Sequence, residues 1–126
     1  MKKIVLTKEA PAPIGAYSQG ISLDNMIFTS GQLPVDMESG QLIENDIDKA
    51  AEAALSNVIA VVEAAGGSKE TILKTTVFLK DLSQFANVNA VYAKVFTENA
   101  PARSAVQVAR LPKDVDIEIE AIAYIK

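Results

Sequence analysis

The run PARSAVQVARLPKDVDIEIEAIA, Pro101 to Ala123, decides how this chain is read. It holds two alternating stretches, Arg103 to Ala109 and Val115 to Ile125, joined by the turn-forming residues LPKD at 111–114. A period of two marks a β-strand with two unlike faces. Arg103 opens the first stretch, and Glu118 and Glu120 lie on the second. Read as two adjacent strands, they would offer one guanidinium and one or two carboxylates to a small polar ligand. In the second strand Val115, Ile117, Ile119, Ala121 and Ala123 share one side. Asp116, Glu118, Glu120, Ile122 and Tyr124 share the other, which is mixed rather than polar.

Working outward, Thr71 to Lys80 is rich in β-branched residues and reads as another strand. Val77 and Leu79 face one side and Phe78 the other, so both faces are apolar. Between these strands, Ser83 would cap a helix reaching about Phe96, with Phe85, Val88, Tyr92 and Val95 on one stripe. Upstream, Asn45 or Asp46 starts a helix with Ile47, Ala51, Leu55, Val58, Val62 and Ala65 at helical spacing. Gly66 stops it. Lys3 to Thr7, Tyr17 to Leu23 and Met26 to Ser30 read as strands, with a tight turn at Asp24-Asn25. APAPIG at 10–15 is a Pro-rich loop, and Gly31 to Gly40 is expected to be a loop as well.

The order β-β-β-α-β-α-β-β points to an α+β fold: a mixed sheet of about six strands with two helices on one face. With 126 residues, one domain spanning 1–126 is expected. Two helices leave the other apolar face bare, so a second subunit is the expected cover.

Composition narrows the chemistry. The chain has no His, no Cys and no Trp, so the usual zinc ligands, a Cys nucleophile and a Ser–His pair are all excluded. No phosphate-cradling glycine loop occurs, so a site must use Arg, carboxylates, Tyr, Ser, backbone groups and water. Twelve Lys and Arg are outnumbered by 16 Asp and Glu, a net charge of −4, which disfavours nucleic-acid binding. No apolar run approaches the roughly 20 residues that span a bilayer. MKKIVLTKEAPAP has no signal-peptide core, and without cysteines the cytoplasm is the expected compartment.

The segments APAPIGAYSQG (10–20), FTSGQLPVD (28–36), KTTVFLKDLSQFANVNAVY (74–92) and PARSAVQVARLPKDVDIEIEAIA (101–123) together resemble the Rid/YjgF family, in its RidA-like branch. The resemblance covers essentially the whole chain. It implies a chorismate-mutase-like α+β fold and a homotrimer with clefts between subunits. It also implies cofactor-free hydrolysis of reactive 2-imino acids, and their enamine tautomers, to 2-keto acids and ammonia. Such species, including 2-aminoacrylate and 2-iminobutanoate, leave pyridoxal-phosphate enzymes.

The same resemblance assigns candidate roles. Arg103, in PARS, would anchor the substrate carboxylate, since a guanidinium grips a planar carboxylate with two parallel bonds and lysine cannot. Glu118 would hold or activate the attacking water. Glu120 falls on the same face roughly 7 Å along the strand. Tyr17 would line the cleft, Ser30 would bond the substrate carboxylate, Gly31 would let backbone approach the ligand, and Asn89 would sit at the cleft edge. The backbone of Ala105 would orient the imino nitrogen. Read without the resemblance, Tyr17 could equally be a core residue, Arg103 a solvated side chain, and Glu118 and Glu120 a solvated strand face.

The chain departs from the family pattern at Ala105, where Cys is common, and at Ala16, where Pro is frequent. The loop before Pro101 is also shorter than in some members. Alanine keeps the backbone groups at 105 and loses any chemistry of a thiol. Two other readings stay open: a noncatalytic binder of small carboxylates acting as a metabolic regulator, and an endoribonuclease or translation inhibitor.

Overall fold

Asp24 adopts φ 53°, and this turn lets Leu23 pair with Met26. The hairpin it closes joins β2 (Gly20–Leu23) to β3 (Met26–Thr29), and β1 (Lys3–Val5) adds antiparallel to β2. The computed structural model, which describes residues 1–126, continues this ribbon into one six-stranded mixed sheet. Its further strands are β6 (Ile72–Leu79), β7 (Ala102–Gln107) and β8 (Ile117–Tyr124), in the order β1-β2-β3-β8-β6-β7.

Two helices cover one face. The first, α1 (Ile47–Ala64), is capped by the Asp46 carboxylate, which accepts from the Lys49 N–H at 3.1 Å. Such a cap is worth about 1 kcal/mol. Gly66 ends the helix at φ 102°, in the left-handed region that glycine enters freely. The second helix, α2 (Phe85–Val95), runs between β6 and β7. The core lies between helices and sheet: Ala51, Leu55, Val58 and Val62 from α1, Val88 and Tyr92 from α2, and Val77, Leu79, Ile117, Ile119 and Ala121 from the sheet.

Three expectations need correction. Gly31 to Gly40 is not all loop: β4 (Val35–Asp36) pairs with β5 (Gln41–Leu42) as a separate short hairpin. Ser83 is not the cap of the second helix. Asp81 accepts from the Ser83 N–H at 2.9 Å and starts a 3-10 turn, Leu82–Gln84, that leads into α2. Most important, the strands carrying Arg103 and Glu118 are not neighbours. A parallel strand needs a crossover; α2 supplies one, so β7 docks parallel to β6 at the sheet edge. β8 then enters antiparallel on the other side of β6, between it and β3.

The outer face is apolar as expected. Ile21, Phe28 and Ile122 align across three strands on this face, and Phe78 and Val106 align further along. Phe28 and Val106 are each 44% exposed.

Candidate active site

Register alone separates the two candidate catalytic groups. Arg103 aligns with Thr75, and Thr75 with Ala121, both on the helix-covered face. Glu118 aligns with Phe78, and Glu120 with Thr76, on the opposite face. Within one chain, Arg103 and Glu118 therefore point away from each other across the sheet.

On the helix side, the Arg103 guanidinium carbon sits 4.8 Å from the Phe85 ring centre and 4.9 Å from that of Tyr92. Each contact is worth about 0.5–2 kcal/mol, according to how far water is excluded. Tyr92 is 6% exposed, and its hydroxyl donates to Thr75 Oγ1 at 3.0 Å, so this ring is a fixed floor. Arg103 has no acidic partner; the chain's ion pair is Arg110 with Asp114, at 2.7 Å. Its donors are free for a ligand. Asn89 and Tyr92 share a hollow of about 480 Å³ with it.

Ala105 lies beside Arg103 on the sheet's outermost strand. The Val108 N–H donates to Leu79 C=O at 3.0 Å, so even-numbered residues of β7 turn their backbone toward β6. The N–H and C=O of Arg103, Ala105 and Gln107 face the open edge. Ala105→Pro therefore removes an outward amide, not a ladder bond, and edge strands accept proline there. The variant should keep its circular-dichroism spectrum and assembly and lose activity at least about tenfold, the cost of one backbone N–H donor withdrawn from the ligand.

Across the sheet, Glu118 opens into a second hollow of about 480 Å³, lined among others by Tyr17, Gln19, Ser30, Gly31 and Lys113. Its carboxylate pairs with no donor. Burial, and then the neighbouring Glu120 charge, push its pKa above the usual glutamate value. Glu120 adds to this field but does not line the hollow. Tyr17 is no core residue: it is 53% exposed, and its hydroxyl accepts from the Ile14 N–H at 3.2 Å. The Ser30 hydroxyl donates to Ser18 C=O, which leaves its lone pairs, not its proton, for a ligand. No group of three or more carboxylates converges as a metal site would require.

Gly31 touches Glu118 directly. A Cβ built there would lie 2.7 Å from the Glu118 carboxyl carbon, closer than real contacts allow. Gly31→Ala must swing that flexible side chain away while the backbone stays. The expected result is a folded protein with turnover lowered at least about tenfold, as for a misplaced catalytic group.

The structure thus gathers Tyr17, Ser30, Gly31 and Glu118 in one hollow, and Asn89, Arg103 and Ala105 on and beside β7. The sequence reading missed Phe85 and Tyr92 as the seat of Arg103, and Gln19 and Lys113 in the Glu118 hollow. For the rings the signal was present: their helical stripe also faces β7. For Lys113 it was not, because it stands at a left-handed φ of 57° in the LPKD turn, where no strand or helix period assigns a side chain to a face.

Fold and site define a small α+β protein whose polar groups are split over two faces of one sheet. A family model described as Endoribonuclease L-PSP matches residues 7–125, and the chain belongs to that family, also known as YjgF/Rid. It is 58% identical over 126 residues to the 2-iminobutanoate/2-iminopropanoate deaminase of Escherichia coli, covering 98% of each chain. It is 51% identical over 124 residues to a RutC family protein of Pyrococcus horikoshii, again covering 98% of each. Among solved structures, the YjgF gene product of E. coli superposes with a TM-score of 0.92 at 57% identity, over 98% of this chain and 99% of that one. E. coli TdcF with bound serine superposes at 0.93 and 50% identity, over 98% and 99%. No helix is long and apolar enough to cross a membrane.

Proposed function

We propose that this protein hydrolyses 2-imino acids and their enamine tautomers, such as 2-iminobutanoate and 2-aminoacrylate, to 2-keto acids and ammonia. Its active site forms between subunits of a homotrimer with the chorismate-mutase-like arrangement. The observation that carries this reading is the pair of unpartnered groups, Arg103 and Glu118, on opposite faces of one sheet. One copy cannot close both on a small ligand. Two copies can, if the open edge at β7 of one meets the Glu118 hollow of the next, and such packing also covers the apolar outer face. The deaminase name of relatives at 58% identity supports the reaction.

The chemistry follows from the groups. Arg103 grips the substrate carboxylate through its free donors. The Ala105 N–H donates to the substrate carboxylate beside Arg103, and the Ala105 C=O accepts from the imino N–H and aims the C=N bond. Glu118 takes a proton from water as the water oxygen bonds to the imine carbon and delivers it to the nitrogen, giving a carbinolamine and restoring the carboxylate. The hydroxyl proton then passes to the nitrogen through Glu118, the C–N bond breaks, ammonia leaves and the carbonyl forms. Water is the only co-reactant, and no cofactor enters the scheme. Pyridoxal-phosphate enzymes are the proposed source of the substrates. Ribonuclease action, named in the family description, is not proposed: the chain has no histidine and a net charge of −4. The serine-bound relative favours one second reading, plain binding of small amino-acid carboxylates.

Subunit mixing tests the composite site. Arg103→Ala and Glu118→Gln proteins should each be inactive. Unfolded together and refolded at equal amounts, they should recover about a quarter of wild-type keto-acid release, because each site takes one group from each of two neighbours. Absence of recovery in a mixed trimer confirmed by mass would sink the composite site. No turnover by the wild type would leave the carboxylate binder.

A further inference from the structure

The Glu118 hollow is walled by two stretches that have no ladder of their own. One is Thr7–Ser18; the other is Gly31–Pro34, joined to the sheet by Gln32, whose N–H and C=O pair with Ile119 at 2.7 and 3.1 Å. Besides these bonds and the buried Ala10, such segments are held by the side chains that reach into them. Two buried carboxamides do so. Gln19 is 1% exposed and Asn57, on α1, is 2% exposed.

Gln19 Oε1 accepts from the Thr7 N–H at 2.7 Å. Its Nε2 donates to the carbonyls of Thr7 at 3.0 Å, Ala10 at 3.2 Å and Pro11 at 2.8 Å. Asn57 Nδ2 donates to the carbonyls of Leu33 at 3.2 Å and Val35 at 3.0 Å. All these partners are backbone atoms, and Pro11, Leu33 and Val35 line the hollow. A buried amide is tolerated only when its groups are bonded, and a glutamate at 19 would turn a second oxygen toward three carbonyls. The two amides therefore specify one placement of each wall.

We propose that Gln19 and Asn57 are positioning residues: Gln19 holds the loop that carries Tyr17, and Asn57 holds the wall beside Gly31, so that together they shape the hollow around Glu118. The inference rests on reading that hollow as half of the active site. The charged or titratable groups facing Glu118 are Glu120 from its own strand, Lys113 from the LPKD turn and Tyr17 from the first wall. Releasing a wall hydrates Glu118 and changes nothing in Arg103 or its ring seat.

The test uses Gln19→Met and Asn57→Leu in the full chain, with Gln19→Glu as a size-conserving second variant at the first site. Hydrogen–deuterium exchange should rise in 7–18 for both Gln19 variants and in 33–36 for Asn57→Leu, with α2 and β7 unchanged. In Gln19→Met and Asn57→Leu the Glu118 side-chain carbon titration, followed by NMR, should move to lower pH and kcat/KM for 2-iminobutanoate should fall at least about tenfold; Gln19→Glu, which adds a carboxylate to the hollow, is read by exchange alone. A folded variant whose wall does not exchange faster overturns the proposal. So does one whose wall is released while Glu118 titrates and turns over as in the wild type. Exchange and titration do not depend on turnover. If both respond in a protein that hydrolyses no imine, the positioning stands and the deaminase reading falls.

Discussion

Arg103→Ala should lower kcat/KM for 2-iminobutanoate by about a hundred- to ten-thousandfold, the span expected when two charge-assisted hydrogen bonds are lost together. The physical reason is that Arg103 alone offers a planar fork that grips a carboxylate with two parallel bonds. Arg103 is seated between Phe85 and Tyr92, and its donors are not spent on any carboxylate of its own chain. Arg103→Lys should also be poor, because a point charge neither forks nor lies flat on two rings. The fold should survive in both, since the two ring contacts together are worth about 1–4 kcal/mol, below the roughly 5–15 kcal/mol that holds a domain folded. Steady-state assays of keto-acid release, with circular dichroism as the control, check this. Near-normal turnover at low substrate by Arg103→Ala would remove Arg103 from the site.

Glu118→Gln should cost a further class of effect, about a hundred- to ten-thousandfold in kcat, the usual contribution of a general base. The pH dependence gives the sign. Burial and the Glu120 charge hold Glu118 protonated to higher pH than an ordinary glutamate. The base form is therefore lost as pH falls through a raised value, and the acid limb of the rate profile should lie above the usual glutamate range. Glu120→Gln removes one cause, so its acid limb should move to lower pH with kcat at the plateau retained. Stability follows the opposite course from catalysis. A raised folded-state pKa means the folded protein binds the proton more tightly than the unfolded chain, so stability falls as pH rises from the unfolded value through the folded one. Glu118→Gln should therefore raise Tm at neutral pH and leave it unchanged in acid. A variant that lost Tm at neutral pH would show that the carboxylate is paired in the assembled protein.

Much of this protein was determined by local pattern. The α1 stripe from Ile47 to Val62, the Asp46 cap and the Gly66 stop are all written within one or two turns of helix, and the alternation in 117–124 assigns each side chain to a face. The apolar outer face was legible for the same reason: Phe78 alternates with Val77 and Leu79, and a period of two leaves no choice of side. Arg103 and Glu118 could be singled out as residues, but their relation could not. That relation depends on which strand β7 joins, and only the α2 crossover, packed on the sheet, puts β7 at the edge and lets β8 enter between β3 and β6. Sequence proximity suggested neighbouring strands on one face; long-range pairing put the guanidinium and the carboxylate on opposite faces. The walls of the Glu118 hollow were equally out of reach, because Gln19 and Asn57 act on backbone atoms 8 to 24 residues away. Such bonds follow no local period; they exist only once the sheet and α1 have brought the loops beside them.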